Sequence, residues 1–177
     1  MQKGQAHPAA LVSQKLITEA LVALIREKGY RHITITELCA RADVARRTFY
    51  RNFDTIEDVL RYLGGTTIEA FSLEMSRHAD DSYYEILVAF FAFWQAHEDV
   101  FALFAGNNLT HILFADYIKS LAQMPFLCEP VPFSSPRAGA YWQAYNAGGL
   151  WSVLMYHANA NEPVEPEEFA RILTRQT

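Results

Sequence analysis

The sequence predicts an all-α protein, with a small helix-turn-helix unit at its amino-terminal end and a larger helical domain after it. Two observations carry this. Apolar residues recur at three-to-four spacing along almost the whole chain, and no segment shows the apolar–polar alternation of a half-buried strand. The breaks between periodic stretches also carry helix start and stop residues. The expected division is residues 1–54 and 55–177, with a helix over about 55–77 linking them.

The first helix is expected over about 10–28. Leu16/Ile17, Ala20/Leu21 and Leu24/Ile25 form one apolar stripe, Lys28 lies in the last turn, and Gly29 ends it. Thr34-Ile35-Thr36-Glu37 then reads as a capping box, in which hydroxyl and carboxylate each satisfy an orphan backbone N–H. The second helix follows over about 35–41, burying Ile35 and Leu38. Asp43 stands at the turn, where a left-handed backbone is wanted and Gly would serve better. A third helix over about 46–53 has Phe49 and Phe53 on one face, with Arg46, Arg47, Thr48, Tyr50, Arg51 and Asn52 on the rest. Two short helices joined by so tight a turn make a helix-turn-helix.

Thr55 caps the long fourth helix, whose stripe is Ile56, Val59/Leu60, Leu63, Ile68 and Phe71. Gly64-Gly65 lies within it and marks a kink or a close helix contact, since each interior glycine costs about 1 kcal/mol relative to alanine. Polar HADDS (78–82) ends that segment. Helical patterns follow over 83–97, 99–105, 109–123, 137–159 and 166–175, with a loop of four prolines at 124–136.

Charge is unevenly spread. The chain carries a net −5, yet residues 1–63 hold ten basic and seven acidic side chains, and residues 64–177 five basic and thirteen acidic. A basic segment on an acidic remainder suggests that the amino-terminal part meets a polyanion. The longest apolar run, Ile86–Trp94, has nine residues, short of the roughly 20 of a membrane span, so no membrane partner is expected. The polar start MQKGQAHPAA lacks the apolar core of a signal peptide, and the expected location is cytoplasmic. Cys39 and Cys128 are read as free thiols.

The stretch TITELCARADVARRTFYRNF (34–53) resembles the DNA-binding domain of TetR-family transcriptional regulators. Thr34, Leu38, Cys39, Ala42, Val44, Thr48, Phe49, Tyr50, Phe53 and Leu60 stand in register with that family's pattern. Three positions depart from it: Asp43 replaces the turn glycine, Ala45 the Ser or Thr cap of the third helix, and Ile56 the lysine that opens the fourth. The segments YNAGGLWSVLMYH and EPVEPEEFARIL further resemble the carboxy-terminal domain of a subgroup of dihydroxyacetone-kinase regulators. The resemblance implies a homodimer on a palindromic operator in double-stranded DNA. It also implies repression relieved by a small-molecule effector, and a four-helix bundle formed by the last two helices and their symmetry mates.

Physical chemistry assigns roles to the same residues. A recognition helix enters the major groove by its amino-terminal end, which puts Arg46 and Arg47 at base edges, where a guanidinium can fork onto guanine. Thr48 suits a thymine methyl or a phosphate, and Tyr50, Arg51 and Asn52 suit the phosphate backbone. Thr34 and Thr36 begin the second helix, where exposed N–H groups favour phosphate. The alternative is that the arginines are merely solvated and the aromatics merely core.

The second domain offers aromatic candidates for an effector cavity: Phe90, Phe93, Trp94, Phe114, Tyr141 and Tyr145, with His111 and Asn146 as polar anchors. Small residues Ala144, Ala147 and Gly148, together with Trp151, are candidates for a dimer interface. No catalytic residue, cofactor or metal site is expected. His97-Glu98 begins like HExxH but Phe101 stands where the second histidine would be, and there is no phosphate-binding glycine loop or nucleophile elbow. The rivals to an effector-controlled regulator are a DNA-binding regulator controlled by a protein partner and, further off, a small helical enzyme.

Overall fold

A computed structural model describes residues 8–127, 135–160 and 164–175. The amino-terminal stretch 1–7, Cys128 and most of the expected proline-rich loop lie outside the described residues. Among the described residues the structure is helical and contains no strand, as the sequence predicts. The chain divides into two compact units, Met1–Gly65 and Thr66–Thr177.

In the first unit, α1 (Pro8–Lys28) packs against α2 (Ile35–Arg41) and α3 (Arg46–Asn52). By length and composition α1 is apolar enough to cross a membrane, but Ile17, Leu21, Leu24 and Ile25 are buried along its inner face. Leu38 and Cys39 of α2 and Phe49 of α3 are buried in the same unit. Gly29 ends α1 at φ 78°, a conformation open to glycine at little cost. A 3₁₀ turn, Tyr30–His32, leads into α2. The capping box forms as read: the Glu37 N–H donates to Thr34 Oγ1 at 3.3 Å, and the Thr34 N–H donates to Glu37 Oε2 at 3.5 Å.

Phe49 is fully buried and its ring centroid lies 6.0 Å from that of Phe53, which in turn meets Tyr62 edge-on at 5.7 Å. Tyr62 belongs to α4 (Ile56–Ser76), whose start is a second capping box. The Thr55 N–H donates to Asp58 Oδ2 at 2.8 Å and the Asp58 N–H to Thr55 Oγ1 at 3.1 Å. Helix α4 runs unbroken through Gly64 and Gly65, and among the described residues a Cβ on Gly65 would have no atom within 4 Å beyond its own helix backbone and chain neighbours.

The second unit comprises the rest of α4, then α5 (Tyr83–Ala96), α6 (Glu98–Gly106), α7 (Thr110–Leu121), α8 (Pro136–Ala160) and α9 (Pro166–Thr174). These bounds lie within two residues of the expected ones. Phe71 sits at the centre of its core, with Phe90, Phe93 and Trp94 at 5.3–5.6 Å and Tyr117 at 6.2 Å between ring centroids. Tyr117 is fully buried and its hydroxyl donates to the Ala147 carbonyl of α8 at 3.3 Å. Helix α9 lies along α5, where Phe169 stacks on Phe91 at 4.5 Å.

Candidate nucleic-acid interface

The turn between α2 and α3 explains how the arginine-rich helix is presented. Asp43 has φ 51°, and its N–H donates to the Ala40 carbonyl at 3.3 Å while the Val44 N–H reaches the Cys39 carbonyl at 3.0 Å. This is a Schellman stop with aspartate at the left-handed position usually held by glycine. Ala45 then leads into α3 with no side-chain cap. The buried side of α3 is Phe49, flanked by half-buried Thr48 and Asn52. The opposite side is exposed and consists of Arg46, Arg47, Tyr50 and Arg51. Tyr50 is 48% exposed and held edge-on to Phe49 at 5.4 Å, so its ring is steadied while the residue stays open to solvent.

The arginines differ in availability. Arg41 is clamped by Glu27 through two contacts of 2.6 and 3.3 Å, a bidentate pair that ties α2 to α1. Among the described residues Arg46, Arg47 and Arg51 form no ion pair, which leaves their guanidinium forks free. Asn52 Nδ2 donates to the Thr48 carbonyl at 2.7 Å, so part of its capacity is spent inside the helix. Thr34 and Thr36 are exposed at the start of α2. Under this surface lies Cys39, whose thiol is pushed up by burial, with the Arg46 charge opposing. The structure thus brings the eight candidate residues onto α3 and the start of α2, as neighbours within one small unit.

The match with known proteins falls on this unit. Residues 17–63 match the family described as Bacterial regulatory proteins, tetR family.

Residues 17–63 thus form a TetR-family DNA-binding domain.

A relative described as the uncharacterized HTH-type transcriptional regulator YxbF of Bacillus subtilis is 24% identical over 164 residues, covering 88% of this chain and 42% of that protein. The chain thus spans less than half the length of that relative. Three solved structures share the fold. Lin0861 from Listeria innocua has a TM-score of 0.76 at 19% identity, over 98% of this chain and 93% of that one. A TerR/AcrR-family transcriptional regulator from Aquifex aeolicus has 0.66 at 19%, over 92% and 98%. The dihydroxyacetone kinase operon activator DhaS has 0.62 at 16%, over 93% of each chain. As a TetR-type helix-turn-helix, α2 and α3 follow the family pattern except at Asp43, Ala45 and Ile56, and Ile56 opens α4 half-buried.

The effector candidates do not converge. Phe90 is in the core, His111 is exposed, Phe114 is part-exposed, and Tyr141 and Tyr145 stand on the outer side of α8. Asn146 donates to the Trp142 carbonyl at 2.9 Å. Phe93 borders an open groove between α4 and α5, whereas Trp94 lines a separate cavity of about 360 Å³. Phe101 lines that cavity too, together with Phe91, His157 and Phe169, for which the sequence alone suggests no site. Of the dimer candidates, Ala147 is 4% exposed and faces Tyr117 of its own chain, and Trp151 packs on Phe101, Phe114 and Tyr117. Ala144 is exposed and Gly148 part-exposed.

Proposed function

We propose that this protein is a sequence-specific DNA-binding transcriptional regulator, a homodimer that occupies a palindromic operator in the cytoplasm and is released by a small-molecule effector. Residues 1–54 bind DNA, and 55–177 form the ligand-binding and dimerisation domain, with α4 joining the two. The observation that carries the reading is the exposed, unpaired Arg46, Arg47 and Arg51 on a TetR-type recognition helix. Arg46 and Arg47 read base edges from the first turn, while Thr34, Thr36, Thr48, Tyr50, Arg51 and Asn52 contact the backbone.

Dimerisation is supported by the outer side of α8. Tyr141, Tyr145 and Tyr156 stand exposed there, with exposed Gly149 and Ser152 between them, and α9 adds exposed Ile172 and Leu173. Exposed apolar side chains along one side of a helix suit a second copy. Among the described residues a Cβ on Gly148 or Gly149 would have no atom within 4 Å beyond its own helix backbone and chain neighbours, so their smallness suits the close approach of a partner helix. Two half-sites would then lie about 34–36 Å apart or a multiple of it.

The sign of regulation has a rival, because one protein of similar fold is named as an operon activator. The test is selection of a binding site from random DNA, followed by titration over a range of salt and a reporter carrying the selected site. Binding that steepens as salt falls and a silenced reporter are expected. Sequence-independent binding would overturn the reading, and a stimulated reporter would reverse its sign.

A further inference from the structure

The cavity between α5, α6, α8 and α9 has the volume of a small-molecule site. Buried Phe91, Trp94, Phe101 and Leu154 belong to its wall, and α9 lays Phe169 on Phe91 with ring centroids 4.5 Å apart. The polar side chains of the lining are Gln95, Glu98 and His157. His157 meets the Phe169 ring edge-on at 5.0 Å, whereas Gln95 and Glu98 stand exposed at the rim. Among the described residues Glu98 is the only acid of the lining, and no lysine or arginine joins it there. Nor does it form an ion pair with any of them. As the first residue of α6 it sits where the helix dipole favours an ionised carboxylate. An apolar interior with one uncommitted negative charge at its mouth complements an apolar body that ends in a positive charge. The surrounding segment adds to this: residues 64–177 hold thirteen acidic and five basic side chains, and their summed field draws cations.

We propose that this cavity binds protonated amines carried on a compact apolar body. The body lies within the wall, and the ammonium at the rim donates to the Glu98 carboxylate, with the Gln95 amide oxygen as a second acceptor. This gives the effector reading a place and a ligand class, and it rests on that reading only for the link to DNA release.

The experiment titrates the full, methyl-labelled chain with naphthylmethylamine, naphthylmethanol and naphthylacetate, which share one apolar body and differ in charge. The amine is expected to bind about two- to fivefold more tightly than the alcohol, the span of a solvent-exposed ion pair. The acetate should bind more weakly than either. Nuclear Overhauser contacts from the naphthyl protons to the methyl groups of Leu154 and Val164 locate the body, since both residues line the cavity. In Glu98→Gln the amine should lose its advantage and bind like the alcohol, whereas Gln95→Glu should tighten the amine further. Both positions are exposed, so both variants should fold, which circular dichroism checks. Equal binding of amine and alcohol to the wild-type chain overturns the proposal. So does an amine advantage that survives Glu98→Gln, or the absence of contacts to Leu154 and Val164. Should Glu98→Gln not fold, an unchanged amine affinity in Gln95→Glu overturns it as well. DNA release is scored separately. Amine binding at Leu154 without release upholds this site and removes its link to DNA, whereas release by the amine without contact at Leu154 overturns the site and leaves the effector reading standing.

Discussion

The ammonium of Lys28, the last residue of α1, lies 2.5 Å from Oε1 of Glu37, whose other carboxylate oxygen closes the capping box on Thr34. One carboxylate therefore ties the end of α1 to the start of the helix-turn-helix. The Lys28 hydrogen bond, and after it those of Thr34, hold the Glu37 carboxyl below its usual range. Hydrogen bonds from Thr55 do the same for Asp58, and those from Ser82 for Glu85. A depressed carboxyl contributes stability that is complete above the unfolded value, near pH 4, and is lost as pH falls through the folded value. Unfolding followed by circular dichroism should show stability declining below about pH 4, with a shallower decline in Glu37→Gln. Removing one cap hydroxyl, as in Thr55→Ala, should cost about 1 kcal/mol at neutral pH.

The exposed arginines should separate by role. Arg46→Ala should weaken binding to the selected site by roughly 1–3 kcal/mol and relax preference at one base position. Arg51→Ala should weaken binding to all sequences alike and reduce the salt slope by about one. Fluorescence anisotropy on selected and scrambled duplexes measures both, and matching profiles for the two variants would refute the assignment.

Two local weaknesses in the helix-turn-helix are open to repair. Asp43 holds φ 51° without the freedom of glycine, and Asp43→Gly should stabilise the unit by up to about 1 kcal/mol. Ala45→Ser supplies the missing cap of α3 and should add about as much, ~1 kcal/mol. Urea unfolding checks both. A loss of stability in Asp43→Gly would mean that its side chain holds the turn.

The tyrosine face of α8 should control assembly. Tyr145→Glu with Tyr156→Glu places charge on a surface that is exposed in the single chain, so the fold should survive while the dimer does not. Buried aromatic anchors of interfaces typically contribute about 2 kcal/mol or more each, which puts the expected rise in the dimer dissociation constant well above tenfold. Sedimentation equilibrium reads the mass, and an unchanged dimer would move the interface off α8.

Local signals in the chain were legible before the fold was seen. Gly29, the Thr34–Glu37 box and the Thr55 cap act over a few residues, so the sequence alone locates the ends of α1, α2 and α4. Ser82-x-x-Glu85 carries the same signal as Thr34-x-x-Glu37 at the end of the polar HADDS stretch, and it caps α5. The exposure of Arg46, Arg47 and Arg51 followed from Phe49 and Phe53, because one buried face of a short helix fixes the other. The cavity was another matter. It exists because α9 lays Phe169 on Phe91, a pairing between distant parts of the chain that no local period records. Aromatic content points to the second domain but, of the eight side chains named for an effector cavity, only Trp94 lines that space. Likewise, the small residues of α8 divide between its two sides, and only the packing tells Ala147, turned to its own core, from Ala144, turned outward.

Burial of Cys39 on α2 gives the protein a clock. A thiol reagent reaches that sulfur only when the helices around it part, and burial further slows reaction by keeping the thiol protonated. In a Cys128→Ser background one sulfhydryl remains, and its rate of modification counts the openings of the small unit beneath α3. Anything that grips α3 from outside must slow that count. Operator occupancy could then be timed in solution by the lifetime of a single native side chain, with no dye attached to either DNA or protein.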